Sequence, residues 1–238
     1  FNADISNWDV SNVTNMSFMF NGCTIFDQDL SGWDVSSVGG PGNLNWWADP
    51  MRGMFQSTPN FNADLSNWCV PYIVSEPLSF YGNSGLQQTN LPIWGTCPGK
   101  TYVPDDNFEA YLETHDPNGN SVSVGDANSM GDGIANNDYV TTANISGVAH
   151  LIVSRQSIAD LTGIADFSNL RSLSCQVNQI VNIDLSQNTF LETLNCSANQ
   201  LTSLDVSHNT LLTSLFLQSN QLTNLDVSQN TYLISLDC

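Results

Sequence analysis

Residues 5–16, ISNWDVSNVTNM, and residues 201–212, LTSLDVSHNTLL, are the same phrase. Ile5 matches Leu201, Trp8 matches Leu204, and Asp9, Val10 and Ser11 match Asp205, Val206 and Ser207. Thr14 and Met16 fall on Thr210 and Leu212. A unit repeated at both ends of a chain confines it to folds built by stacking one supersecondary element, solenoids foremost.

The C-terminal part repeats every 21 residues: Leu170, Leu191, Leu212 and Leu233 keep that interval. Leu173, Leu194, Leu215 and Leu236 ride with them, then Cys175, Cys196, Leu217 and Cys238. Asn178, Asn199 and Asn220 come next, then Ile180, Leu201 and Leu222. This is a leucine-rich pattern, LxxLxLxxNxL, with Cys at the third Leu in three copies. Each copy supplies a short strand with alternate residues inward, and the Asn satisfies backbone groups where the chain turns. The N-terminal part repeats differently. FNADISNWDV, FDQDLSGWDV and FNADLSNWCV start at Phe1, Phe26 and Phe61, and a degenerate copy, LQQTNLPIWGTC, starts at Leu86. Met16, Met19 and Phe20 correspond to Met51, Met54 and Phe55, which marks them as core. An insertion around GGPGNLNWWADP lengthens the second copy, and its coil is expected to bulge outward.

The expected fold is a repeat solenoid: leucine-rich-repeat-like parallel β coils in two arrays, with a small capping helix between them. Residues 1–97 form the first array and 98–103, PGKTYV, a linker. Residues 104–150 hold the cap and an Asp/Asn/Gly-rich loop, with Phe108, Tyr111 and Leu112 at helical spacing. Residues 151–238 are the 21-residue repeats. The chain opens inside one repeat, without an initiator Met, and stops inside another. It therefore reads as a piece of a longer protein, with further repeats of the same chain at both ends.

Charge narrows the partners. With 23 acidic and four basic residues the net charge is -19. Nucleic-acid binding needs clustered Lys and Arg, so that class is set aside. No run of apolar residues is long enough for a membrane span.

The phrase FNADISNWDVSNVTNMSFMF resembles BspA-type bacterial surface repeats over about residues 1–97. VPDDNFEAYL, IADLTGIADFSNLRSL and LETLNCSANQLTSLDVSHNT resemble internalin-like leucine-rich repeat regions of Bacteroidetes surface proteins, over about 101–238. The resemblance implies a secreted or outer-surface protein, often exported by the type IX system and used in adhesion or recognition.

Cys69 and Cys97 stand outside the core phase, in WCV and WGTC, and are expected to form a disulfide clamping the last coil of the first array. Such a bond argues for an oxidising compartment. Cys175, Cys196 and Cys238 take the inward Leu position and Cys23 a small core position, so all four are expected as free thiols. His115, His150 and His208 read as surface residues, and no nucleophile, base and metal converge, so the chain is read as a non-enzyme.

One cofactor is put forward, calcium. Asp116, Asn118, Asn120, Asp126, Asn128, Asp132 and Asp138 have the alternate-residue oxygen spacing of a calcium loop, although the register is not that of an EF-hand. The competing and favoured reading is an Asx-rich turn network. The column Asp184, Asp205, Asp226 has two readings as well: turn acceptors, which are favoured, or ligands of a shared cation. The outward strand positions form the candidate binding face: Ser172, Ser174 and Gln176; Thr193, Asn195 and Ser197; Ser214, Phe216 and Gln218. Phe216 is expected exposed, between buried Leu215 and Leu217. Polar rows with one aromatic suit a protein or a glycan ligand. Recognition is the preferred function; a structural spacer and an accessory module of a larger secreted enzyme are the alternatives.

Overall fold

The computed structural model describes residues 1–40 and 49–238. The insertion expected to bulge falls largely on 41–48, outside the described residues. The chain divides into two compact units, Phe1–Pro98 and Gly99–Cys238.

In the first unit the repeated Asp-x-Ser builds a turn. Asp4, Asp9, Asp29, Asp34 and Asp64 each accept the backbone N–H of the Ser two residues on, at 2.9–3.1 Å, which is the Asx turn that an Asp side chain favours. Between these turns the coils are joined by main-chain bonds. N–H groups of Met16, Phe18, Phe20 and Gly22 donate to carbonyls of Pro50, Arg52, Met54 and Gln56. Those of Gly53, Phe55 and Ser57 donate to Leu78, Phe80 and Gly82. The intervening Met19, Asn21 and Cys23 donate back to Met16, Phe18 and Phe20. Carbonyls that a parallel ladder would share with the next coil are thus taken up by turns of their own coil. No residue described in this unit forms a strand, and one 3-10 turn, Gln88–Asn90, is its regular element.

Aromatic rings fill the interior. Phe20 stacks on Phe55 and Phe26 on Phe61 at 5.6 and 5.5 Å, and Phe80 meets Phe55 edge-on at 5.3 Å. The indole N–H of Trp33 donates to the Ile5 carbonyl and that of Trp68 to the Leu30 carbonyl, each one coil back. Trp33 and Trp68 are 4% and 1% exposed, whereas the matching Trp8 is 53% exposed. Met19, expected as core, is 38% exposed, and neighbouring Phe18 is exposed too, its ring against Gly53, where a Cβ would stand 2.7 Å from it.

The second unit opens with β1 (Lys100–Tyr102), antiparallel to β2 (Tyr139–Thr141). Residues 98–103, expected as a linker, therefore carry a strand; its partner lies some forty residues on, beyond the reach of local pattern. Helix α1 (Asp106–Thr114) is capped by Asp105, which accepts from Asn107 N and Phe108 N. The same carboxylate accepts from Ala159 N and Asp160 N, and Phe108 stacks on Phe167 at 6.2 Å. Those contacts fasten α1 to the first coil. A short helix α2 (Thr142–Ile145) leads into β3 (His150–Ile152). Then β4 (Ser172–Ser174), β5 (Thr193–Asn195), β6 (Ser214–Phe216) and β7 (Ser235–Asp237) complete a parallel sheet in the order β3-β4-β5-β6-β7.

This is a leucine-rich-repeat-like parallel β-solenoid. Leu173, Leu194 and Leu215 are in register and buried, as are Cys175, Cys196 and Leu217. Cys238 departs from the expected inward position: it is exposed, in a last coil whose Leu236 is exposed too. Asn199 donates to the carbonyls of Cys175 and Cys196 and accepts from Ile180 N; Asn178 and Asn220 do the same one coil to either side. A second column, Asn188, Asn209 and Asn230, is buried on the far turn. Each amide donates to two carbonyls, those of Asn209 being Leu185 and Asn188.

Candidate functional site

All nine residues of the candidate face are half-buried and lie on the outward side of β4–β6 and their extensions. Register sorts them into columns across the strands. Ser172, Thr193 and Ser214 form the first, continued by His150 and Ser235. Ser174, Asn195 and Phe216 form the second, continued by Ile152 and Asp237. Gln176, Ser197 and Gln218 lie one alternate position further.

The last two columns are tied to each other. The Asn195 amide donates to Gln176 and its oxygen accepts from Ser197 Oγ at 2.7 Å. Gln218 donates to Asp237, and Ser174 Oγ lies 3.1 Å from Ser154 Oγ. Phe216, expected exposed, is half-buried. Its in-register neighbours Asn195 and Asp237 flank the ring.

The oxygen-rich loop contains Asx turns. Asp116 accepts from Asn118 N, Asn120 N and Asn120 Nδ2, and these bonds hold its carboxyl below the ordinary range. Asp126 accepts from Asn128 N and Nδ2. Asp132 takes Ile134 N and pairs with Lys100 Nζ at 2.6 Å. Among the described residues no group of three or more His, Cys, Asp or Glu gathers as metal ligands. Of the carboxylates put forward for calcium, Asp116 and Asp126 take their donors from within four residues, whereas Asp132 takes one donor two residues on and Lys100 from 32 residues back. The column Asp184, Asp205, Asp226 behaves alike: each accepts the N–H of the Ser two residues on, at 2.8–2.9 Å. Those serines hold all three carboxyls below the usual range. His208 sits beside Asp184 and Asp205 in a shallow groove.

Two acidic residues that the sequence pattern does not single out are fully buried. Glu109 accepts from Asn137 N and Asp138 N; Glu113 accepts from Asp132 N and Gly133 N. They lie one turn apart on α1 and bind the loop main chain to the helix. Burial pushes both carboxyls up; nearby Asp138 and Glu113 add to this for Glu109, and Asp132 for Glu113. At Gly131 a Cβ would stand 2.0 Å from Glu113 Oε1, so the close approach needs glycine there. The i, i+4 spacing was the available signal, but a carboxylate pair on a short helix ordinarily marks its solvated side.

Cys69 and Cys97 are disulfide-bonded, and Cys23, Cys175, Cys196 and Cys238 are free. A hydrogen bond with Cys196, together with burial, pushes the Cys175 thiol well up, which suits an inert core thiol.

A family described as a Mycoplasma protein of unknown function, DUF285, matches residues 1–94. Among curated proteins none matches. Solved structures do. The functional domain of InlJ from Listeria monocytogenes, which includes a cysteine ladder, is 34% identical. That match covers 58% of this chain and 28% of that one, with a TM-score of 0.48. An internalin, inlF, from the same organism is 24% identical over 57% of this chain and 36% of that one, at TM-score 0.46. A leucine-rich-repeat protein of Leptospira interrogans is 15% identical over 89% of this chain and 48% of that one, at TM-score 0.40. The chain thus spans about half or less of the length of each.

Proposed function

We propose that the chain is a recognition segment of a secreted or outer-surface protein, whose partner docks on the outward face of β4–β6. One observation carries the reading. Nine side chains from three coils share a single half-buried face, and none of the nine bears a charge. A face that only separated other domains would have no need to keep charge out of three successive coils. The disulfide supports an oxidising, extracellular setting. The Bacteroidetes-type resemblance of the repeats brings with it the expectation of type IX export.

The test compares the chain with the double variant Asn195→Arg/Ser214→Arg on an array of extracellular-matrix proteins and glycans. Binding that is lost in the variant, with the sheet intact by circular dichroism, supports the reading. Binding equal in both moves the site off this face, and no binding by either favours the spacer.

A further inference from the structure

We propose that Lys100 and Asp132 condense into an amide bond, with the Glu113 carboxyl beside them carrying the protons. Lys100 is the chain's one lysine. Its Nζ lies 2.6 Å from Asp132 Oδ2; the Asp132 side chain is fully enclosed, and that of Lys100 is 31% exposed. Glu113 is fully buried on α1, and its Oε1 accepts the Asp132 N–H at 2.5 Å. Burial raises the Glu113 carboxyl, and the charge and side-chain hydrogen bond of Asp132 add to this. The pair Arg171 and Glu192 has the same 2.6 Å contact, but both side chains are nearly half exposed. Water screens that pair, and a guanidinium that stays protonated has no lone pair to offer.

Enclosure disfavours net charge, so one amine and two carboxyls are best held neutral overall. They can stand as an ammonium, a carboxylate and a carboxylic acid. When the ammonium gives its proton to Asp132, they become an amine and two carboxylic acids, and that form reacts. The Nζ lone pair attacks Asp132 Cγ and forms the C–N bond. The carbonyl π pair moves onto Oδ1, where the Ile134 N–H, at 2.9 Å, serves as oxyanion donor. Glu113 gives its proton to Oδ2 and takes one from the nitrogen. The pair on Oδ1 then re-forms the carbonyl, the C–Oδ2 bond breaks, and Oδ2 leaves as water. Asn137 Nδ2, 3.1 Å from Oδ2, steadies the leaving oxygen. Glu113 ends as it began, and no oxidant or cofactor is consumed.

The main chain holds the partners together. Lys100 is fixed by the pairing of β1 with β2, and Glu113 fixes the other side through Asp132 N and Gly133 N. Gly131 lets the loop come this close, since a Cβ there would meet Glu113. Groups held in contact react as though at an effective molarity of about 10⁵ M or more, and enclosure of Asp132 keeps water from reversing the step. The bond joins positions 32 residues apart and locks β1 to the loop that covers α1. It is a single-turnover reaction of the chain on itself, and it does not depend on what docks on the outward face of β4–β6.

Mass spectrometry of the whole chain, with its disulfide reduced, tests this. The mass is expected to fall one water below that of the sequence, and trypsin should fail to cut after Lys100. Chymotryptic digestion should release residues 95–102 and 131–139 as one joined species. Lys100→Arg keeps the ion pair without a reactive amine and should show the full mass. Glu113→Gln, shown to be folded by circular dichroism, should leave most of the chain unlinked, because proton transfer contributes about a hundredfold or more to the rate. Full mass in the wild type, with Lys100 cleaved by trypsin, overturns the proposal. So does a water lost from residues 131–139 alone, which is succinimide formation between Asp132 and Gly133. Full linkage in a folded Glu113→Gln chain overturns the role given to Glu113.

Discussion

The first unit joins its coils with rings and one-way main-chain bonds, and the second with strands and amides. Phe20, Phe55 and Phe80 are the contacts from coil to coil in the one, and indole N–H groups reach back to the preceding carbonyl. Leu173, Leu194 and Leu215 play that part in the other, and Asn side chains close the corners. The Asp-x-Ser turn is common to both: Asp9 accepts from Ser11 N, and Asp205 from Ser207 N. That shared corner explains why two otherwise different arrays carry one phrase. The two arrays part at the main chain beyond the corner. Where half of the carbonyls are spent on turns, large rings reinforce the main-chain bonds that remain between coils; where they are free, three-residue strands suffice and the rings give way to Leu.

The largest expected effect bears on that division. Phe55→Ala removes the ring that touches Phe20, Phe61, Phe80 and Trp68, and should cost the first unit about 3–5 kcal/mol in denaturant unfolding. A cost under about 1 kcal/mol would show that its main-chain bonds, not its rings, carry the coil contacts. Next comes the clamp. The Cys69–Cys97 bond closes a loop with a sequence separation of 28, so Cys69→Ser/Cys97→Ser should lower stability by about 3–4 kcal/mol. Hydrogen exchange should show the loss in Phe1–Pro98 and leave the strands β4–β6 protected; loss spread evenly over both units would join what the comparison separates.

The second array can be broken at its amides. Asn199→Ala leaves Ile180 N and the carbonyls of Cys175 and Cys196 without a side-chain partner, at about 2–3 kcal/mol. Asn209→Ala removes only the two bonds that its amide donates and should cost less. The reverse order, measured by chemical denaturation, would make the far turn the stronger seam. Smaller again is Phe216→Ala. A half-buried ring on the outward face should cost about 1 kcal/mol, against about 2–5 for buried Leu217→Ala. Equal costs would place Phe216 inside the coil.

What the sequence reveals here depends on repetition. The Leu, Cys and first Asn columns recur four or three times at one interval, so their phase names their side of the coil. Cys69 and Cys97 stand out because they break that phase. Features that occur once carry no such signal. Strand β1 pairs with a segment far along the chain, and Glu109 and Glu113 are buried because a single loop folds its main chain over them. The loop is ambiguous in another way: alternate Asp and Asn are equally the spelling of a cation site and of Asx turns. Asn188, Asn209 and Asn230 keep the 21-residue interval yet sit in a polar turn, where an Asn reads as solvated until burial is known.

The smallest expected effect contrasts the units by pH. In the first unit the shifted carboxyls, Asp4, Asp9, Asp29 and Asp64, are all held low by Ser hydrogen bonds. A lowered group stabilises above its unfolded pKa and loses that contribution as pH falls through the folded one, so the first unit should only weaken as acid is added. The second unit has such groups too, in Asp184, Asp205 and Asp226, but also Glu109 and Glu113, whose carboxyls burial raises. A raised carboxyl binds more protons folded than unfolded. Its stabilisation is complete below the ordinary Glu range and is lost as pH rises through the folded value. From neutral pH down to the ordinary Glu range, the second unit should therefore gain stability while the first does not, and below that range both should decline. Thermal unfolding across this window, paired with hydrogen exchange in each unit, reads the difference. Glu109→Gln and Glu113→Gln should each flatten the second unit's rise and leave the first unit's profile untouched. A rise that survives both substitutions and is confined to the second unit would come from Asp138, whose carboxyl burial also raises; one that comes from relief of the chain's overall negative charge would appear in the two units together.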